Sequence, residues 1–146
     1  MSNRVALVSC VKSKRASAAP ASDLYTSQLF RSLRGYAEAT ADRWYILSAE
    51  HGLLGPDVVI SPYERTLNTM RKADRLGWAA RVQRQLLEVL PLQAEVIFLA
   101  GERYRCDLIP FLRELGFTTE VPLEGLSFGR QLQRLKELAE NGYVER

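Results

Sequence analysis

Three segments of the chain gather the side chains able to do chemistry. The first is Ser9-Cys10-Val11-Lys12-Ser13-Lys14, the second Ser48-Ala49-Glu50-His51-Gly52, the third Gly101-Glu102-Arg103-Tyr104. Lysine binds phosphate as a point charge, and backbone N–H groups in a turn that follows a strand add to it. Lys12 and Lys14 are therefore the expected contacts for an anionic group, with Ser9 and Cys10 beside them. Glu50 and His51 are adjacent, and Glu64 follows the proline turn Ser61-Pro62-Tyr63. A carboxylate or imidazole so placed serves as general acid or base, or positions a water. Tyr25, Tyr63 and Tyr104 offer rings for stacking on a base. Ser27, Ser48, Gly101 and Arg103 complete the expected substrate or phosphate contacts. Cys10, a thiol near lysines, is a further candidate nucleophile, for which His51 is the only histidine partner.

Each feature also has a plainer reading: solvated lysines, a histidine that caps a turn, a thiol that fills the core, tyrosines half-buried with the hydroxyl in water. Position argues for a site. Val5-Ala6-Leu7-Val8, Arg43-Trp44-Tyr45-Ile46-Leu47 and Glu95-Val96-Ile97-Phe98-Leu99 read as strands, largely apolar and rich in β-branched or aromatic residues, and each runs directly into one of the three polar segments. In a parallel sheet the three endings meet at one edge, and ligands bind outside the carboxyl ends of such strands.

The elements between them alternate with the strands. A small, flexible loop at residues 15–22 leads to a helix from Leu24 to about Ala39, with Asp23 or Ser22 as cap. Leu53-Leu54-Gly55-Pro56-Asp57 reads as a turn, and Val58-Val59-Ile60 as a short extended piece. A long helix opens at Asp74 and ends at Pro91. Another runs from Tyr104 to Leu115 with Pro110 inside it, so a kink or a late start is expected, and Gly116 caps its end. Thr118-Thr119-Glu120-Val121 is a weak fourth strand, and Ser127 or Gly129 starts the last helix. The expected architecture is one α/β domain over residues 1–146. It is a three-layer sandwich around a mostly parallel four-stranded sheet of order 2-1-3-4, with right-handed crossovers.

Composition narrows the function classes. There is no GxxxxGK[ST] phosphate loop, because no glycine occurs before Gly35, and no GxGxxG dinucleotide fingerprint. One histidine and two distant cysteines, Cys10 and Cys106, argue against a zinc site or a disulfide framework, so no metal and no cofactor are expected. No apolar run nears the roughly 20 residues of a membrane helix. Met-Ser-Asn-Arg leads straight into a strand without a signal-peptide core, so the expected location is the cytoplasm, with no membrane partner. A net charge of +3 permits a polyanionic partner without requiring one.

Longer stretches carry a family pattern. Leu7-Val8-Ser9-Cys10-x-Lys12-x-Lys14, Asp23-Leu24-Tyr25-Thr26-Ser27-x-Leu29-Phe30, Trp44-Tyr45-Ile46-Leu47-Ser48-Ala49-x-His51-Gly52-Leu53-Leu54, Ile60-x-Pro62-Tyr63-x-x-Thr66-Leu67 and Pro122-Leu123-Glu124-Gly125-Leu126-Ser127-Phe128-Gly129 together span nearly the whole chain. This pattern resembles an uncharacterised bacterial and phage family of unknown function (DUF6884-like). More distantly, the opening strand with its Ser, Cys and Lys is similar to the YaaA-type peroxide-stress proteins and to the base-modifying domain of archaeosine synthases. That resemblance implies a sandwich of the uracil-DNA-glycosylase type. The additional helical DNA-binding segment of the YaaA type has no counterpart in this chain.

The expected function is a nucleotide- or nucleic-acid-directed enzyme, metal-independent, acting at an N-glycosidic bond or a modified base. Lys12 and Lys14 would hold phosphate, Tyr25 or Tyr63 would stack on the base, and Glu50, His51 or Glu64 would activate water or protonate a leaving group. The alternative is a non-catalytic binding module for a nucleotide or a single strand. A third reading makes Cys10 the nucleophile of a thiol-dependent enzyme.

Overall fold

A computed structural model describes residues 3–9, 14 and 16–141. Cys10 and Lys12 lie outside the described residues. Strand β1 (Arg4–Ser9) is the centre of the sheet: five of its six residues are buried, as its apolar run demands. It pairs in parallel with β3 (Arg43–Ser48) on one side and with β6 (Glu95–Leu99) on the other. Strand β7 (Thr118–Glu120) extends the sheet beyond β6, also in parallel. Strand β4 (Gly52–Leu54) folds back antiparallel on β3, with Ser48 opposite Gly52 and Ile46 opposite Leu54.

The sheet is thus α/β and mostly parallel, but it has five strands in the order β4-β3-β1-β6-β7, where four were expected. The fifth strand lies in the segment read as a turn. Gly52 takes a left-handed φ of +74°, which reverses the chain so that Leu53 and Leu54 run back along β3. A separate two-stranded antiparallel ribbon joins β2 (Ala19–Pro20) to β5 (Val59–Ile60).

Side chains that alternate along the strands feed two cores. Ala6, Val8, Ile46, Ile97 and Leu99 pack on one face against Leu29, Phe30 and Leu33 of α2 (Gln28–Thr40) and Leu135 and Leu138 of α6 (Phe128–Glu140). Val5, Leu7, Leu47, Val96 and Phe98 pack on the other against Trp78, Val82 and Leu86 of α3 (Lys72–Val89) and Leu108 and Leu112. The period of two in the strands and of 3.6 in the helices makes this a sheet covered on both faces.

Two expected helices are divided. The first becomes a short α1 (Ala21–Leu24) and α2, because Tyr25 is extended and forms a β-bridge with Lys14. Ser27 then caps α2, its hydroxyl accepting the N–H of Phe30 at 3.1 Å. The second becomes α4 (Glu102–Arg105) and α5 (Ile109–Glu114), with Pro110 in the first turn of α5, where its missing N–H leaves no bond unmade. Helix α3 begins at Lys72, two residues before the expected Asp74, and Leu90 turns extended before Pro91. Among the described residues, no helix is long and apolar enough to cross a membrane.

Candidate functional site

The carboxyl edge of the sheet holds two linked groups of side chains. The first is built around Ser48, fully buried at the end of β3. Its hydroxyl accepts the backbone N–H of His51 at 3.0 Å and donates to the Tyr63 hydroxyl at 2.9 Å. The Tyr63 hydroxyl in turn lies 2.6 Å from that of Tyr25. His51 meets the Tyr63 ring edge-on at 5.6 Å, and the Lys14 ammonium stands 4.7 Å from the centre of the same ring. Burial explains the chain of bonds: a hydroxyl that leaves water must find a partner, and among the described residues no buried side-chain polar atom lacks one.

The second group surrounds a cavity of about 320 Å³ beyond the ends of β1 and β6. Ser9, Gly101 and Tyr104 line it, together with Asn68, Glu102, Arg105 and Gln131, over apolar walls that include Leu29, Phe98 and Leu123. The Ser9 hydroxyl accepts the N–H of Gly101 at 3.3 Å and so ties the ends of β1 and β6 together. The Tyr104 hydroxyl accepts the N–H of Leu67 and lies near the Thr66 hydroxyl, each at 3.4 Å. Trp78 joins the two groups: its ring meets Tyr104 edge-on at 5.7 Å and its indole N–H donates to the Ser48 carbonyl at 2.8 Å.

The expected site residues fall into distinct places. Ser9, Gly101 and Tyr104 share the cavity. Lys14, Tyr25, Ser48, His51 and Tyr63 share the hydrogen-bonded and aromatic cluster. Tyr25 and Tyr63 are only 2% and 8% exposed, so their hydroxyls build the wall while their rings are packed inside it. Glu50 points elsewhere, its carboxylate 3.4 Å from Arg65 and its carbonyl accepting from Arg81 at 3.2 Å. Glu64 and Arg103 are exposed and line neither the cavity nor the cluster. Ser27 is occupied as a helix cap.

Four polar or charged residues of the cavity were not among the site residues expected. Glu102 and Arg105 follow the third strand ending directly, three residues apart on one face of α4, and that spacing was the available signal. Asn68, in the single 3₁₀ turn η1 (Leu67–Thr69), and Gln131, in α6, reach the cavity only through tertiary folding. Among the described residues, no group of three or more His, Cys, Asp or Glu side chains is arranged to hold a metal ion. Among the described residues, the charged side chains that line the cavity are Glu102 and Arg105.

A mostly parallel five-stranded sheet covered by helices on both faces, with a cavity at its carboxyl edge, defines an α/β architectural class. Within that class, residues 5–137 match the model of a family described as "Family of unknown function (DUF6884)", and the chain belongs to that family. It is also similar to the "Uncharacterized protein YfjM" of Bacillus subtilis (strain 168), 33% identical over 113 residues that cover 72% of this chain and 74% of that protein.

Proposed function

We propose that the chain is a nucleotide- or nucleic-acid-directed enzyme that acts, without a metal, at an N-glycosidic bond or on a modified base. The observation that carries this reading is the convergence of Ser9, Gly101 and Tyr104 on one cavity at the carboxyl edge of the sheet. A volume of about 320 Å³ is at the lower end of small-molecule sites. It suits a single base or nucleoside and is far too small for a duplex. Asn68 offers a donor and an acceptor for a base edge, and Gln131, whose Nε2 donates to the Leu126 carbonyl at 3.0 Å, offers its Oε1 as an acceptor. The carboxylate of Glu102 can accept a base N–H or, for catalysis, orient water toward the glycosidic carbon. Acid–base work falls to Glu102 in this reading, because Glu50, His51 and Glu64 do not line the cavity. The motif likeness to the YaaA type and to the archaeosine-synthase domain adds support of the same kind.

The non-catalytic module is the second reading, and the same separation of Glu50, His51 and Glu64 from the cavity favours it. One experiment distinguishes the two. Nucleosides, nucleoside 5′-monophosphates and short single strands are titrated against the protein in the presence of EDTA, while released base or altered base is followed by chromatography. The enzyme reading expects turnover that Glu102→Gln abolishes while binding persists. Binding without product at any enzyme concentration supports the module. Failure of every ligand in the panel to bind removes both.

A further inference from the structure

Among the described residues, Arg105 is the one cationic side chain that lines the cavity. Its side chain is only 16% exposed, and one guanidinium nitrogen is anchored to the Ala100 carbonyl at 2.9 Å. Its charge has a poor partner among the described residues: the carboxylate oxygen of Glu124 is 3.8 Å away, beyond hydrogen-bond range, on a side chain 69% exposed. Such pairs are weak, whereas a largely buried guanidinium gains most from a bidentate, charge-assisted partner. Leu123 and Gly125, on either side of Glu124, line the same cavity. Of the two lysines expected to hold phosphate, Lys12 lies outside the described residues, and Lys14 stands over the Tyr63 and Tyr25 rings at 4.7 and 5.9 Å.

We propose that Arg105 is the anion anchor of the cavity and that the phosphate of a nucleoside monophosphate displaces Glu124 from it, an inference that rests on the nucleotide reading for the identity of the ligand. Glu102, three residues earlier on the same face of α4, also lines the cavity, and its carboxylate suits a donating base N–H rather than a second anion. Specificity is thereby set for a ligand with one anionic and one hydrogen-bond-donating end.

The test compares a nucleoside with its own 5′-monophosphate by calorimetric titration, using the intact chain and the variants Arg105→Gln, Arg105→Lys and Glu124→Gln. The intact chain is expected to prefer the monophosphate by about tenfold or more, the scale of one charge-assisted hydrogen bond. Arg105→Gln is expected to weaken the monophosphate about tenfold more than the nucleoside, and Arg105→Lys to restore part of the preference. Glu124→Gln, a surface change, strengthens monophosphate binding alone. Equal weakening of both ligands by Arg105→Gln, or weaker monophosphate binding in Glu124→Gln, overturns the proposal. If neither ligand binds, the nucleotide reading fails, and inorganic phosphate then tests the anchor by itself. A shift of the Gly101 amide resonance that Arg105→Gln removes upholds an anion site, and the absence of such a shift refutes it.

Discussion

The hydroxyls of Tyr25 and Tyr63 lie 2.6 Å apart in a buried position, although the residues are separated by 38 positions in the chain. Tyr63 also accepts from Ser48, so its hydroxyl joins those of Ser48 and Tyr25. Tyr63→Phe leaves the Ser48 hydroxyl short of its acceptor inside the protein, and it and Tyr25→Phe are each expected to cost about 1–3 kcal/mol. Because the two share one bond, the double variant should lose less than the sum of the singles. Denaturant unfolding of all three variants measures this, and strict additivity would show that the hydroxyls are not coupled.

Gly52 carries a different constraint. Its φ is +74°, and a Cβ at this position would collide with the Gln85 side-chain oxygen. That oxygen accepts the N–H of Leu53 at 2.8 Å, satisfying an outward-facing donor of the edge strand β4. Gly52→Ala is expected to destabilise by about 1–2 kcal/mol from the left-handed backbone alone, and by more through displacement of Gln85. Removing the clash with Gln85→Ala in the same chain should recover none of the backbone strain. Full recovery of stability in that double variant would contradict the assignment.

How far the sequence could be read depends on which forces act locally. The strands at Val5, Ile46 and Ile97 were legible because a buried parallel strand is apolar throughout and stops at polar residues. Ser9, Gly101 and Tyr104 followed from that, since parallel strands bring their ends together. Leu53-Leu54 was obscured by its glycine and proline neighbours, which signal a turn whether or not two residues between them pair with a strand. The apolar spacing through Leu24, Leu29 and Leu33 gives no sign of the break at Tyr25, where the bridge to Lys14 overrides helix propensity. Asn68 and Gln131 carry no local mark of function at all, because only the packing of η1 and α6 against the strand ends brings them to the cavity.

Gln93 offers a stabilising change. Among the described residues it is the one non-glycine with a positive φ, 57°, in the turn between α3 and β6. A left-handed conformation costs an ordinary residue roughly 1–2 kcal/mol, against about 0.5–1 kcal/mol of additional chain entropy lost by glycine. Gln93→Gly should therefore raise stability by up to about 1 kcal/mol, while Gln93→Val, β-branched, should lower it. Thermal unfolding of the two variants should bracket the parent chain, and a lower midpoint for Gln93→Gly would refute the argument.

Cys106 links stability to alkaline pH. Burial raises its thiol pKa above the ordinary value, and the negative charge of Asp107, together with a hydrogen bond from the thiol to that carboxylate at 3.6 Å, raises it further. Arg75, 3.3 Å from the same carboxylate, offsets only part of this. The folded chain therefore keeps a proton that the unfolded chain releases near the free-thiol value of about 8.5. With fewer protons on the unfolded state, stability falls as pH rises from there through the folded pKa, and below that window the group contributes no slope. Two measurements follow. In Cys10→Ser, which leaves Cys106 as the only thiol, alkylation at neutral pH should be slower than for a free cysteine, because little thiolate is present. In Cys106→Ala, unfolding by denaturant across the alkaline range should show a shallower loss of stability than the parent chain. An unchanged slope would mean that the thiol ionises alike in both states.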